Sequence, residues 1–297
     1  YIPRIGWTPE GELYFYRTNR LQNHFELLVA DNAGGSKVVY EEKDKRYIER
    51  LDGDTVTFLP KRRLMVKSER SGDMHTYVHD IDKGAVVDTV TRCNWDVTKL
   101  VDVTGDRVYY ISAEESPLRR NLYSVRLNGK SKTRLTEGEG TYSVAASNGF
   151  RYFISYFSNV STPLVVSLHN SSGKVLRVLE DNAALRNTIV QRRLPKKEFF
   201  TFTTIYGSKL NGYMVKPGDF DPAKRYPVMM TQYSGPGSQS VTDSWSIGWE
   251  DVLVQEGYIV ACVDGRGTGA RGADFKKCTY GNLGALETQD QIEAAKY

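Results

Sequence analysis

A chain of 297 residues, 40% hydrophobic and 26% charged, has the composition of a soluble globular protein and length for one large domain or two ordinary ones. No run approaches the roughly 18 consecutive apolar residues of a membrane-spanning helix. A net charge of +4, with basic residues in short groups beside acids (Lys61, Arg62, Arg63; Arg192, Arg193, Lys196, Lys197), lacks the compact basic stripe of a nucleic-acid binder.

The opening YIPRIGWTPEG carries no charged segment followed by an apolar one. The expectation is that an export signal has been removed or that the chain starts inside a longer protein. From Leu13 the sequence repeats itself. The apolar-aromatic runs LYFYRT (Leu13 to Thr18), LMVKSE (Leu64 to Glu69), VYYISAE (Val108 to Glu114) and YFISYF (Tyr152 to Phe157) start 51, 44 and 44 residues apart. Each has a companion strand: FELLVAD from Phe25, HTYVHDI from His75, NLYSVRL from Asn121 and PLVVSLH from Pro163. A turn rich in Gly, Asn, Asp or Lys then follows: DNAGGSK, DIDKGA, LNGKSK, HNSSGK.

Short paired strands with such turns, recurring every 40 to 50 residues, predict β-propeller blades, small sheets that stack on their neighbours. An open β-sandwich has similar strand spacing, but its segments need not resemble one another. Four blades are visible, the fourth running to about Gln191. A propeller must close on itself or cap its ends, because an open end presents unpaired sheet to water. Nothing marks the first or last repeat as a cap, so part of a larger ring is expected.

From Glu198 the texture changes. FFTFTTIYG, LNGYMVKPG and YPVMMTQYSG are strands in succession, the third nearly continuous in apolar residues, as a doubly covered central strand is. SIGWEDVLVQEG predicts a helix with Ile247, Val252 and Leu253 on its apolar face and Gly257 closing it. YIVACVDGRG is a further buried strand, and ALETQDQIEAAKY a helix still running at Tyr297. Strands alternating with helices predict an α/β domain with a largely parallel sheet.

In such a sheet, chemistry gathers at the carboxyl ends of the strands. Tyr233 stands at one, heading Ser234-Gly235-Pro236-Gly237-Ser238. In hydrolases built on this sheet, the loop after the third strand supplies a donor to an oxyanion, and the nucleophile sits in G-x-S-x-G further along. A phenol on a rigid loop can fill the donor's place; a Tyr packed under a structural turn is the alternative. No G-x-S-x-G occurs. Its nearest imitation, SWSIG from Ser244 to Gly248, has Ser in place of the first Gly and precedes a helix, so it reads as a helix cap.

His24, His75, His79 and His169 all lie in the repeated β region, whereas a hydrolase His follows its Ser in chain order. His75 and His79 are four apart without the helical context of a metal pair, so neither a metal nor a cofactor is expected. VDGRGTGARG has the G-x-G-x-x-G spacing of a dinucleotide loop at Gly267, Gly269 and Gly272. Asp264 and Arg266 stand where a pyrophosphate would approach, and no helix follows directly. A tight glycine loop anchored by an ion pair of Asp264 or Arg266 is the better account. Cys93, Cys262 and Cys278 fit neither a disulfide framework nor a CxxC site, and read as buried free thiols, with a single bridge as the alternative.

YPVMMTQYSGPGSQ, VDGRGTGARG and LGALETQDQIEAAKY, in that order and at those gaps, resemble the first half of the catalytic domain of the dipeptidyl peptidase IV branch of the prolyl oligopeptidase family. YIPRIGW, CNWDVTKL, LRRNLYSVRL and VLRVLEDNAAL resemble later blades of that family's eight-bladed propeller. The resemblance covers essentially the whole chain. It implies a partial β-propeller followed by a partial α/β-hydrolase domain, with residues 1–195 the C-terminal part of the former and 196–297 the N-terminal part of the latter.

It further implies a serine exopeptidase that releases dipeptides from free N-termini, with Pro or Ala favoured at the second position. Of the catalytic groups only the oxyanion-stabilising Tyr falls here, at Tyr233. The Ser, Asp and His would follow Tyr297, the paired glutamates that hold the substrate ammonium would precede Tyr1, and the chain alone would be inert. Gly237 stands where some relatives have Cys. Three cysteines point to a bacterial, periplasmic or secreted member, the intact enzyme a homodimer acting on peptides, with no nucleic-acid partner. A tripeptidyl or acylaminoacyl peptidase of the same family, and a non-catalytic homologue that binds protein through its propeller, are the alternatives.

Overall fold

The computed structural model describes residues 1–31, 33–49, 53 and 55–297. Among them, four sheets of four strands follow one another in sequence. The first holds β1 (Ile5–Trp7), β2 (Leu13–Thr18), β3 (His24–Ala30) and β4 (Ser36–Lys43). The second holds β5 (Val56–Leu59), β6 (Arg63–Ser68), β7 (His75–Asp80) and β8 (Ala85–Thr89). The third holds β9 (Val97–Thr104), β10 (Arg107–Ser112), β11 (Asn121–Arg126) and β12 (Thr133–Arg134), and the fourth β13 (Thr141–Ala146), β14 (Tyr152–Asn159), β15 (Thr162–Asn170) and β16 (Val175–Glu180).

Strand order equals chain order in each sheet, so each is a meander, and these are blades of a partial β-propeller. The repeated pairs of the sequence are the second and third strands of every blade. They are the inner strands, paired on both sides, and therefore carry the densest apolar residues. The fourth blade ends earlier than expected: Ala183–Gln191 is helix α1, with no buried residue. Its Leu, Ile and Val are spaced as a helix permits, and Pro195 follows it as a stop.

The chain divides into two compact units, Tyr1–Cys93 with Val125–Lys132, and Asn94–Ser124 with Thr133–Tyr297. In the first, Tyr16, Phe25, Leu27, Leu64, Val66 and Tyr77 form a buried cluster. The Tyr16 and Phe25 rings meet edge to face at 5.1 Å, a geometry worth about 0.5–1.5 kcal/mol beyond area burial. In the second, Tyr109, Ile111, Leu122, Val144, Phe150 and Phe153 pack together.

The second unit also contains the α/β sheet, a partial α/β-hydrolase domain. Its strands are β17 (Lys197–Thr203), β18 (Lys209–Val215), β19 (Val228–Thr231) and β20 (Ile259–Asp264), in the order β17-β18-β20-β19. Its helices are α2 (Trp249–Gln255), α3 (Gly272–Lys277) and α4 (Ala285–Lys296). Among the described strands only β19 and β20 are parallel; β17–β18 and β18–β20 are antiparallel, so this first part of the sheet is mixed. Residues 204–208 make too short a connection for a crossover, so β17 and β18 can only pair as a hairpin.

Among the described residues, β20 is the strand covered on both faces. Val260 and Cys262 pack with Tyr213, Val215, Val241 and Val254 on one face, and Val263 with Phe202 and Leu210 on the other. Among the described strands β19 pairs with β20 alone, and Val228 and Met229 are exposed. Apolar continuity reports what faces a strand can cover, not which neighbour covers them. In helix α2 Val254 is buried, while Ile247 and Val252 are exposed. All three thiols are free, and Cys93 is exposed rather than buried.

Candidate active site

Because β19 and β20 run parallel, their carboxyl ends open on the same edge, and the loops leaving them meet there. The first loop carries Tyr233. The second is the glycine-rich stretch after Asp264. Gly237 N donates to Gly267 O and Gly269 N donates to Ser238 O, each at 2.8 Å. The loops touch backbone to backbone: a β-carbon on Gly269 would lie 2.6 Å from Gly237 O. Gly237 and Gly267 have φ of +70° and +98°, a region that disfavours side chains. The glycine spacing is thus explained by a platform for the Tyr233 loop.

The charged residues expected to anchor this platform do so in different ways. Among the described residues Asp264 makes no ion pair; its buried carboxylate accepts Ser240 N and Val241 N at 3.0 and 2.8 Å. Burial pushes its carboxyl above the ordinary range, and the two backbone donors pull it back. Arg266 does form an ion pair, with Asp290 on α4 at 2.8 Å. The same carboxylate accepts Arg266 N at 2.6 Å. A third tie runs from Gln291 Nε2 to Val263 O at 2.9 Å.

On this support the loop closes on itself, with Ser238 N and Ser238 Oγ both donating to Gly235 O, at 2.9 and 2.6 Å. Tyr233, 75% exposed, lies beside Gly235 of this loop on the rim of a cleft of about 530 Å³ that Pro236, Leu283, Glu287, Gln291 and Ile292 also line. It is not packed under a turn. Ser234, beside it, has φ of +54°, and its buried Oγ has no hydrogen-bond partner among the described residues. A rigid loop presenting a free phenol O–H at a strand end can donate to negative charge developing in the cleft.

The other residues singled out in the sequence fall elsewhere. His75 is a satisfied core residue, Nδ1 on Thr91 Oγ1 at 3.1 Å and Nε2 on Cys93 O at 2.8 Å. His169 pairs with Ser155 Oγ at 2.8 Å and Gly173 O at 3.0 Å, and stacks on Phe153 at 4.5 Å. That Ser–His pair is buried inside its blade, where no substrate reaches. Ser244 and Ser246 do not cap α2; Gly248 N donates to Asp251 Oδ2 instead, at 2.7 Å. Among the described residues, His24, Glu26 and Glu41 bring potential ligand atoms within 4.8 Å of one another. However, Arg17 and Lys43 already occupy the two carboxylates, at 2.6 and 2.8 Å. Burial pushes the Cys262 thiol up to about 11, so it is no nucleophile at neutral pH.

One group was not legible in the sequence. The bend between β10 and β11 grips the segment after Tyr233: Gln239 Nε2 donates to Pro117 O at 2.7 Å, and Arg120 Nη2 donates to Gln239 Oε1. Arg119 Nε donates to Asp243 Oδ2 at 3.0 Å, and Leu118 packs against the Tyr213–Val260 cluster. Asp96 Oδ2 accepts Gly272 N at 3.0 Å. The hydrogen-bonded partners are more than a hundred residues apart, and no local spacing joins them.

The family described as dipeptidyl peptidase IV (DPP IV) N-terminal region matches residues 1–164, and the prolyl oligopeptidase family matches residues 245–297. The chain is similar to "Probable dipeptidyl-aminopeptidase B" of Emericella nidulans, 31% identical over 99% of this chain and 34% of that protein. "Probable dipeptidyl peptidase 4" of the same organism is 29% identical, over 99% of this chain and 41% of that protein. Among solved structures it is similar to Porphyromonas gingivalis dipeptidyl peptidase 4, at 44% identity and a TM-score of 0.94, over all of this chain and 42% of that one. The chain thus spans about a third of the length of the Emericella nidulans dipeptidyl-aminopeptidase B that it matches.

Proposed function

The chain belongs to the dipeptidyl peptidase IV N-terminal-region family, and on that premise we propose that it is part of a serine exopeptidase releasing dipeptides from free peptide N-termini, with Tyr233 donating to the oxyanion. What carries the reading is the exposed phenol on a braced loop at a strand end, above a cleft. As the scissile carbonyl is attacked its oxygen gains charge, and a donor already fixed in place stabilises that charge without reorganising. The second donor is the backbone N–H beside the serine. Serine, aspartate and histidine are supplied by the remainder of the protein, and the division between propeller and hydrolase domains is placed at 195/196, between the last blade strand and β17. Preference for Pro or Ala at the second position, homodimerisation and a bacterial periplasmic or secreted location belong to the same proposal.

The test is Tyr233→Phe in the whole protein. It removes the donor and keeps the ring, so kcat on a Pro-containing dipeptide p-nitroanilide should fall about a hundredfold or more, with thermal stability unchanged. An unchanged kcat would overturn the assignment. Comparing dipeptide, tripeptide and acylated amino-acid p-nitroanilides separates the dipeptidyl reading from its two relatives.

A further inference from the structure

The segment after Tyr233 is held from two sides. The hydrolase side fixes it through Gly267, Gly269 and Asp264, as described above. The propeller side fixes it through Gln239, whose Nε2 donates to Pro117 O at 2.7 Å and to Val241 O at 3.1 Å. Its Oε1 accepts from Arg120 Nη2. Arg120 is itself preset, because its Nη1 donates to Pro117 O and Arg119 O at 2.8 and 2.7 Å. Beyond Gln239, Asp243 closes the grip: it accepts Arg119 Nε at 3.0 Å and Val160 N at 3.1 Å, and its own N donates to Leu118 O at 2.8 Å.

We propose that Gln239 is a positioning residue for the Tyr233 hydroxyl, through which the propeller bend Pro117–Arg120 holds the oxyanion loop in its working shape. This rests on the reading of Tyr233 as the oxyanion donor. Between the two residues the chain is a closed turn, with Ser238 bonded to Gly235 O and Gly237 to Gly267, so few torsions can absorb a displacement of Gln239. The turn contains Gly235 and Gly237, whose intrinsic freedom is wide, and external ties are what narrow it. Released at Gln239, the loop spreads over more conformations. The fraction holding the phenol in reach of the oxyanion then falls, and kcat falls with it.

The experiment uses the whole protein and a Pro-containing dipeptide p-nitroanilide. Gln239→Ala is measured alone and in the Tyr233→Phe background. The expected result is a loss of about tenfold in kcat at unchanged KM in the first case, and no further loss in the second, since a donor that is gone cannot be misplaced. An equal loss in both backgrounds, or none in either, would overturn the inference. Arg120→Lys keeps the charge but not the planar fork, and serves for the same comparison if Gln239→Ala does not fold. Tyr233→Phe without effect would sink the oxyanion reading itself, whereas a Tyr233→Phe loss with no coupling to Gln239 sinks this inference alone.

Discussion

The ring of Tyr233 occupies the space that a side chain at Gly235 would need: a β-carbon there would lie 2.5 Å from Cε1 and 3.1 Å from Cδ1 of Tyr233. The glycine is therefore what lets the phenol lie across its own loop. The obstruction is a side chain rather than backbone, so a larger residue at 235 turns the ring and leaves the fold intact.

With Tyr233 in the proposed oxyanion role, Gly235→Ala should lower kcat in the whole protein by about ten- to a hundredfold, the scale on which misplacing a reacting group by an ångström acts. The melting temperature should move by only a few degrees. Steady-state kinetics with differential scanning calorimetry measures both, and a fully active alanine variant would show that the ring position has no bearing on the reaction.

Asp290 is fully buried and takes the Arg266 backbone N–H together with both Nε and Nη2 of its guanidinium. The pairing with Asp290 also raises the Arg266 pKa above its ordinary value. Asp290→Ala leaves that cation and an N–H without their acceptor, at a cost of about 3–5 kcal/mol in unfolding free energy. Replacing both partners by apolar residues should recover part of the loss. Urea denaturation of the single and double variants decides it, and a neutral single variant would mean that the pair does not brace the glycine loop.

The blades carry a pH dependence of definite sign. Burial holds the His79 imidazole below its ordinary 6.5, Arg70 adds to the effect, and a backbone hydrogen bond with Val39 opposes it. The native state therefore refuses a proton that the unfolded chain accepts. The stability linked to His79 is complete above pH 6.5 and is lost as pH falls through 6.5 toward the depressed native value. Unfolding free energies from pH about 7.5 to about 5.5 should decline for the native sequence and more shallowly for His79→Gln. Parallel slopes would assign the acid sensitivity to other groups.

Much of this architecture was readable from one sequence because it rests on local chemistry. Alternating apolar residues and turn glycines at a constant period mark blades wherever they occur, and the repeated pairs proved to be the inner strands. The place of Tyr233 was also local: a β-run, then a Gly-Pro-Gly turn. By contrast, Val228, Met229 and Met230 of β19 are as apolar as the residues of β20, yet among the described residues only β20 is covered on both faces. Which of two apolar strands is covered on both faces depends on their neighbours in the sheet, and adjacency is not written into either run.

The sequence by itself determined the blades, the change to an α/β domain and the loop that carries the phenol, since strand, turn and helix preferences act over a few residues. Tertiary structure alone decided that Gly269 supports Gly237, that Asp264 serves backbone donors rather than a cation, and that Arg119 and Arg120 hold Asp243 and Gln239. Those partners meet only after the chain has crossed from a blade bend to a strand end, and a hydrogen bond depends on distance in space, not on separation along the chain.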